Sequence, residues 1–272
     1  MGNLDRLELQ RGGALATTGA ALEAKRWGNR RCGRTATARV AIAGVPFAVV
    51  TGAGSGIGRA TALALAGRGL GVALLGRSEA GLRATAEVID GLGVPALIAL
   101  ADVSVAAEVS RAASEIIRAL GTPRVVVNNA GIAGRKARID ELREDEWDAV
   151  LGSNLKGVFL VTRAFLPAMR AAGQGRLVTI ASISSTLGSP GLAAYAASKW
   201  GALGFTKSLA EELRGTGVQA LSVLPGSVDT PMVKVGGFAP KMSAEDVAHL
   251  VVYAALDAPA AMNGSSLECF GP

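Results

Sequence analysis

Two cysteines, Cys32 and Cys269, and one histidine, His249, are all that 272 residues offer for disulfide, thiolate-metal or imidazole chemistry. The cysteines lie far apart, without a CxxC pair or a Cys/His cluster. That excludes a disulfide scaffold and an ordinary structural zinc site, and it reads as free thiols in a reducing compartment. A single histidine and no Gly-x-Ser-x-Gly elbow also remove a serine-hydrolase triad. Charge is sparse too, at 18% of residues against 50% hydrophobic, a balance that builds a buried core.

The formal charge of +6 is not spread evenly. Residues 1–46 hold eight basic side chains (Arg6, Arg11, Lys25, Arg26, Arg30, Arg31, Arg34, Arg39) against three acids (Asp5, Glu8, Glu23), leaving twenty against nineteen for the rest. The body therefore presents no strong field for nucleic acid or an anionic membrane, and the leader lacks aromatics interleaved for base stacking. Residues 1–46 read as a basic, disordered leader. An organelle transit peptide shares that composition, so a cytoplasmic location is expected with organelle targeting left open. From Val40 to Ile57 no residue is charged, but Pro46 and four glycines break any spanning helix, and the apolar part reads as a buried strand.

Residues 47–272 repeat one pattern: a short apolar run, a glycine or polar turn, then an amphipathic stretch. Strands are expected at Phe47–Thr51, Gly71–Leu75, Ala96–Ala101, Val125–Asn128, Arg176–Ala181 and Ala220–Leu224. Nearly continuous apolar strands alternating with helices predict one α/β domain with a mainly parallel, doubly wound sheet flanked by helices. Ser243 and Asp246 have capping-box spacing ahead of a helix running to near Asp257, with Val247, Leu250, Val251 and Ala254 on one stripe and His249 on its surface.

Directly after the first strand comes Thr51-Gly52-Ala53-Gly54-Ser55-Gly56-Ile57-Gly58. Glycines 52, 56 and 58 allow a tight turn and close backbone approach to a pyrophosphate, while the following helix offers unpaired N–H groups to the anion. Its place between the first strand and the first helix points to a dinucleotide site rather than to a glycine-rich turn that merely tightens helix packing. After the second strand an acid reads a ribose 2′-hydroxyl and a base reads a 2′-phosphate. Here Gly76-Arg77-Ser78 carries no carboxylate, so NADP is expected, with NAD left open. Asp102, in Ala101-Asp102-Val103, is placed either to touch the adenine edge or to cap the next helix.

Tyr195 and Lys199 stand at i and i+4, neighbours on one helix face, and an adjacent cation should favour the phenolate. Such a phenol exchanges protons with an alcohol or carbonyl oxygen. Thirteen residues earlier Ser182 ends a strand and should emerge beside the cofactor, with Ser184 and Ser185 as turn-capping neighbours.

Over residues 47–272 the sequence resembles the short-chain dehydrogenase/reductase family. The resemblance rests on Thr51-Gly52-x-x-x-Gly56-x-Gly58, Asn128-Asn129-Ala130-Gly131, Asn154-Leu155-Lys156-Gly157, Ser182, Tyr195-x-x-x-Lys199 and Pro225-Gly226-x-x-x-Thr230. It implies a Rossmann-type NAD(P)-binding catalytic domain. In it, Tyr195 is the acid/base, Lys199 lowers its pKa and binds the nicotinamide ribose, Ser182 holds the substrate oxygen, and Asn154 supports a relay water. By the same resemblance Asn128, Asn129, Ala130 and Gly131 shape the nucleotide pocket, and Pro225, Gly226, Val228 and Thr230 seat the nicotinamide. The implied activity is hydride transfer between NADP(H) and a ketone or secondary alcohol, 3-oxoacyl-thioester reduction among the activities of relatives, in a homodimer or homotetramer. A dinucleotide-sensing regulator using the basic leader for a partner is the alternative. The segment 231–242 is brief for a substrate lid, with Met232 and Phe238 as candidate lining residues.

Overall fold

In the computed structural model the described residues are 45–232 and 239–271. The leader up to residue 44, with Cys32, and the lid residue Phe238 lie outside them.

Seven strands form one sheet: β1 (Phe47–Thr51), β2 (Gly71–Gly76), β3 (Ala96–Leu100), β4 (Val125–Asn128), β5 (Gly175–Ile180), β6 (Val218–Pro225) and β7 (Ser266–Cys269). All neighbours are parallel, in the order β3-β2-β1-β4-β5-β6-β7. The chain winds outward from β1 to β3, then returns to lay β4 on the other side of β1. That reversal opens a crevice beyond the carboxyl ends of β1 and β4, where open α/β sheets bind ligands.

Alternation along the strands feeds two cores. Ala48, Val50, Val72 and Leu74 pack beneath α1 (Gly56–Gly67), α2 (Glu79–Gly91) and α7 (Ala244–Val252). Phe47, Val49, Ala73 and Leu75 face the other way, beneath α3 (Ala106–Leu120), α5 (Gly157–Ala171) and α6 (Ala193–Glu212). The six expected strands are all present, within two residues of their expected ends. The seventh, β7, was not foreseen: Ser-Leu-Glu-Cys offers one large apolar residue, and an edge strand with partly exposed residues needs no more.

The Ser243–Asp246 capping box forms as its spacing requires: Ser243 N–H donates to Asp246 Oδ2 at 2.8 Å and Ser243 Oγ accepts from Asp246 N–H at 3.1 Å. Val247, Val251 and Ala254 are buried and His249 is exposed. Past Val252 the helix continues as a π turn, Tyr253–Asp257.

A second π turn, Gly152–Lys156, joins α4 (Glu144–Leu151) to α5. Taken as one 28-residue helix, Glu144–Ala171 is long and apolar enough to cross a bilayer, yet Leu160, Val161, Phe165 and Met169 are buried against the sheet. A π turn in an otherwise regular helix re-aims the side chains it carries, and this one carries Asn154.

Candidate active site

The cleft at the β1/β4 reversal holds about 550 Å³. Gly52, Gly54, Ser55, Gly56 and Ile57 line one wall, Arg77, Ser78, Asp102 and Val103 the second, and Asn129, Ala130 and Gly131 the floor.

Close packing explains the glycines. A Cβ on Gly58 would stand 2.2 Å from the Gly52 carbonyl and 2.4 Å from Asn129 Nδ2, contacts that no side chain tolerates. Gly52 and Gly56 have φ of 66° and 50°, open to glycine at no steric cost. Thr51 then fastens β1 to β4: its hydroxyl donates to Val127 O at 3.2 Å and accepts from the N–H groups of Asn129 and Ala130 at 2.9 and 3.0 Å. At the start of α1, Ser55 is extended and its side chain makes no capping bond. The first N–H groups of a helix have no partner within it, and here they face the cleft uncapped. Such a cradle fits a pyrophosphate through main-chain donors.

The second wall is more polar and more exposed. Arg77 Nη1 reaches Asp102 Oδ2 at 3.4 Å, with 66% of the Arg77 side chain exposed. Asp102 Oδ1 accepts from Ser104 N–H and Oγ–H at 2.8 and 2.7 Å, a turn leading into α3. Burial works to raise the Asp102 carboxyl, but these Ser104 bonds and Arg77 outweigh it and hold the group below its ordinary value. Ser78 is committed to α2, accepting from Gly81 N–H at 3.3 Å.

Beyond Gly131 the wall changes character. A methyl on Gly131 would stand 2.8 Å from Asn154 Oδ1 and 3.8 Å from Lys199 Nζ, so the glycine lets the floor of the cleft meet those side chains. Lys199 is 5% exposed and donates to Ile180 O at 2.7 Å. Its ammonium lies 5.8 Å from the centre of the Tyr195 ring. Burial lowers the Lys199 pKa to about 8. Burial also pushes the Tyr195 phenol up, and a hydrogen bond from Ser182 only partly opposes it. The sequence argument for a lowered phenol is therefore not met here: removal from water disfavours the phenolate, and Lys199 spends a donor on a carbonyl. Ser182 Oγ accepts from Ser184 N–H at 3.1 Å, which leaves its own proton for the bond to Tyr195. Ser185 turns away and donates to Lys199 O at 2.9 Å.

Asn154 is 1% exposed and fully engaged. Its Oδ1 accepts from Ile132 N–H at 2.8 Å, and its Nδ2 donates to Ile132 O at 2.9 Å and to Ser198 Oγ at 3.0 Å. Neither Ile132 nor Ser198 stood out in the sequence. The position of Ser198, one turn after Tyr195, was the available signal, since a helical serine back-bonds to a carbonyl three or four residues earlier.

Pro225, Gly226 and Val228 do not line the cleft. Val228 is 3% exposed and packs in the core with Met242, so any contact it makes with a ligand runs through its backbone. Thr230 does line it, with its methyl 3.1 Å from where a Gly56 Cβ would stand, and Met232 follows on the rim.

A family model described as short chain dehydrogenase matches residues 46–237. The chain is 39% identical to a 2-dehydro-3-deoxy-L-rhamnonate dehydrogenase (NAD(+)) of a Sphingomonas species, covering 68% of this chain and 73% of that protein. It is 36% identical to a 3-oxoacyl-[acyl-carrier-protein] reductase of Thermotoga maritima, covering 68% and 75%. Among solved structures, an actinorhodin polyketide ketoreductase with NADPH superposes with a TM-score of 0.78 at 34% identity, covering 84% of this chain and 96% of that one. The glycine turn, the half-buried phenol beside a buried lysine and the parallel sheet thus occur in a chain that belongs to the short-chain dehydrogenase/reductase family of oxidoreductases, whose cofactor is a nicotinamide dinucleotide.

Proposed function

We propose that the protein is an NADP(H)-preferring oxidoreductase that interconverts a ketone and a secondary alcohol, with 3-oxoacyl thioesters within its substrate class. One observation carries the reading: Tyr195, half-buried, meets the buried Ser182 and Lys199 in a cluster that abuts the floor of a glycine-walled cleft through Gly131.

The groups divide the work by chemistry. A nicotinamide dinucleotide supplies the hydride to a carbonyl carbon, or takes it in the reverse direction. Ser182 turns its proton from the Tyr195 phenol to the substrate oxygen and stabilises charge growing there. Tyr195 delivers the proton that turns that oxygen into a hydroxyl, and in the oxidative direction removes it. Lys199 places an ammonium beside the phenol and, by the family resemblance, near the nicotinamide ribose of a bound dinucleotide. The phenol held protonated by burial suits the reductive direction, in which it must arrive carrying its proton. Arg77 supports the preference for NADP, because an exposed guanidinium can leave Asp102 for a 2′-phosphate. The relatives leave the choice open, one being named for NAD(+) and another solved with NADPH. Phe159 on α5 and Trp200 on α6 are 41% and 54% exposed, and we propose that these two helices pair with a second copy.

The test is a screen of 3-oxoacyl thioesters, simple ketones and secondary alcohols with reduced and oxidised dinucleotides, run beside Tyr195→Phe. Turnover should fall by a factor on the order of 10³ in the variant while dinucleotide binding stays within about twofold. Undiminished turnover in Tyr195→Phe would remove the assigned chemistry.

A further inference from the structure

Ser198 is completely buried on α6, one turn beyond Tyr195. Its hydroxyl donates to the main-chain carbonyl of Tyr195 at 2.7 Å and accepts from Asn154 Nδ2 at 3.0 Å. We propose that Ser198 is a positioning residue, which sets the Asn154-bearing π turn in register with the helical turn that presents Tyr195. The inference rests on the reading that Tyr195 carries the proton.

The direction of each bond is forced. A carbonyl only accepts, so the Ser198 proton points to Tyr195 O, and the lone pairs left over require a donor. Asn154 can meet that need only with Nδ2 outward. The same orientation matches Ile132, whose N–H meets Oδ1 and whose carbonyl meets Nδ2, at 2.8 and 2.9 Å. A flipped amide would set two donors against each other at the Ile132 N–H and two acceptors at its carbonyl. One chain of bonds therefore runs from Ile132 on the cleft floor through Asn154 and Ser198 to the main chain of Tyr195, linking the loop after β4, the π turn and α6. In a buried place bonds in series strengthen one another, and a missing member leaves a donor stranded. Without the Ser198 hydroxyl, one Nδ2 proton of a 1% exposed Asn154 has no acceptor. The π turn then has no polar tie to α6 through Asn154 and is free to drift from the phenol. Small shifts of positioned groups reduce turnover without requiring a loss of binding.

The decisive measurement is the steady-state kinetics of Ser198→Ala. We expect kcat to fall about tenfold, with KM for dinucleotide and carbonyl substrate within about twofold of wild type. Ser198→Thr and Ser198→Val have nearly the same shape, so packing strain affects both alike; the threonine should turn over about tenfold faster than the valine. In an Asn154→Ala background, Ser198→Ala should bring no further loss. Equal kcat for the threonine and valine variants, or a full additional loss on top of Asn154→Ala, overturns the proposal. Failure of the underlying reading looks different: there Tyr195→Phe stays active, whereas an inactive Tyr195→Phe beside a fully active Ser198→Ala removes only the role of Ser198.

Discussion

At the β1 end of the cleft the working groups belong to the main chain: uncapped N–H donors at the start of α1, held by glycines that no side chain could replace. At the β5 end they are side chains, with Lys199 and Asn154 buried and tied by hydrogen bonds to Ile180, Ile132 and Ser198. On the proposed function, the first end recognises a shape common to dinucleotides and tolerates an exposed wall at Arg77. The second would hold protons at chosen atoms, which requires exclusion of water and a partner for nearly every donor. Substitutions at the two ends should therefore fail in different ways.

The largest effect is expected at the β1 end, where the glycine turn packs on the loop after β4. Gly58→Val would drive a side chain into Gly52 O and Asn129 Nδ2, where even a Cβ would meet them at 2.2 and 2.4 Å. The loss of stability should exceed about 4 kcal/mol, because the nearest clash is with the Gly52 main chain, which cannot move aside as the end of a side chain can. Denaturant unfolding measures it. A variant that unfolds like wild type would mean that the turn is softer than its packing implies and that the glycine serves ligand approach alone.

This contrast also decides how much could be read without coordinates. Six strands, the switch-point cleft and the glycine turn were legible because apolar runs and glycines report backbone needs directly. Tyr195, Lys199 and Ser182 were legible through spacing and motif. The edge strand β7 was not, since its burial is partial and its sequence carries one large apolar residue. Nor were Ile132 and Ser198, whose roles arise from contacts between segments 22 and 44 residues away from Asn154. The state of the phenol also depended on depth, which an i, i+4 spacing does not encode.

Lys199 allows the β5 end to be tested by pH. Its pKa in the fold, about 8, lies below its ordinary 10.5, so between these values the unfolded chain binds more proton than the folded one. Stability conferred by this site must then rise with pH across that window. Below pH 8 the lysine is charged in both states and its burial penalty is constant. Tyr195, raised above its ordinary 10.0, works in the opposite sense and only above that value. Relative to Lys199→Met, the wild type should gain up to about 3 kcal/mol across the window, read as the difference in denaturation free energy. Parallel pH profiles for the two proteins would show that the ammonium is hydrated in solution and that this end of the cleft is wetter than its packing.

The smallest effect belongs to the most exposed group. Arg77 lies at the rim, paired at 3.4 Å with an Asp102 whose other oxygen is fixed by Ser104. Because both partners retain water, the pair itself contributes little, and Arg77→Ala should leave stability within about 0.5 kcal/mol of wild type. Cofactor affinity is where the loss should appear. A 2′-phosphate competes with a single carboxylate for the guanidinium and offers more acceptor oxygens, so NADPH should weaken by about tenfold and NADH hardly at all. Asp102→Asn should shift the ratio the other way, since it frees the arginine without removing the Ser104 turn. Titration of both dinucleotides against the two variants separates a rim that reads phosphate from one that only carries charge. Equal weakening of NADPH and NADH in Arg77→Ala would mean that discrimination, if the protein has any, is made by the main-chain end of the cleft after all.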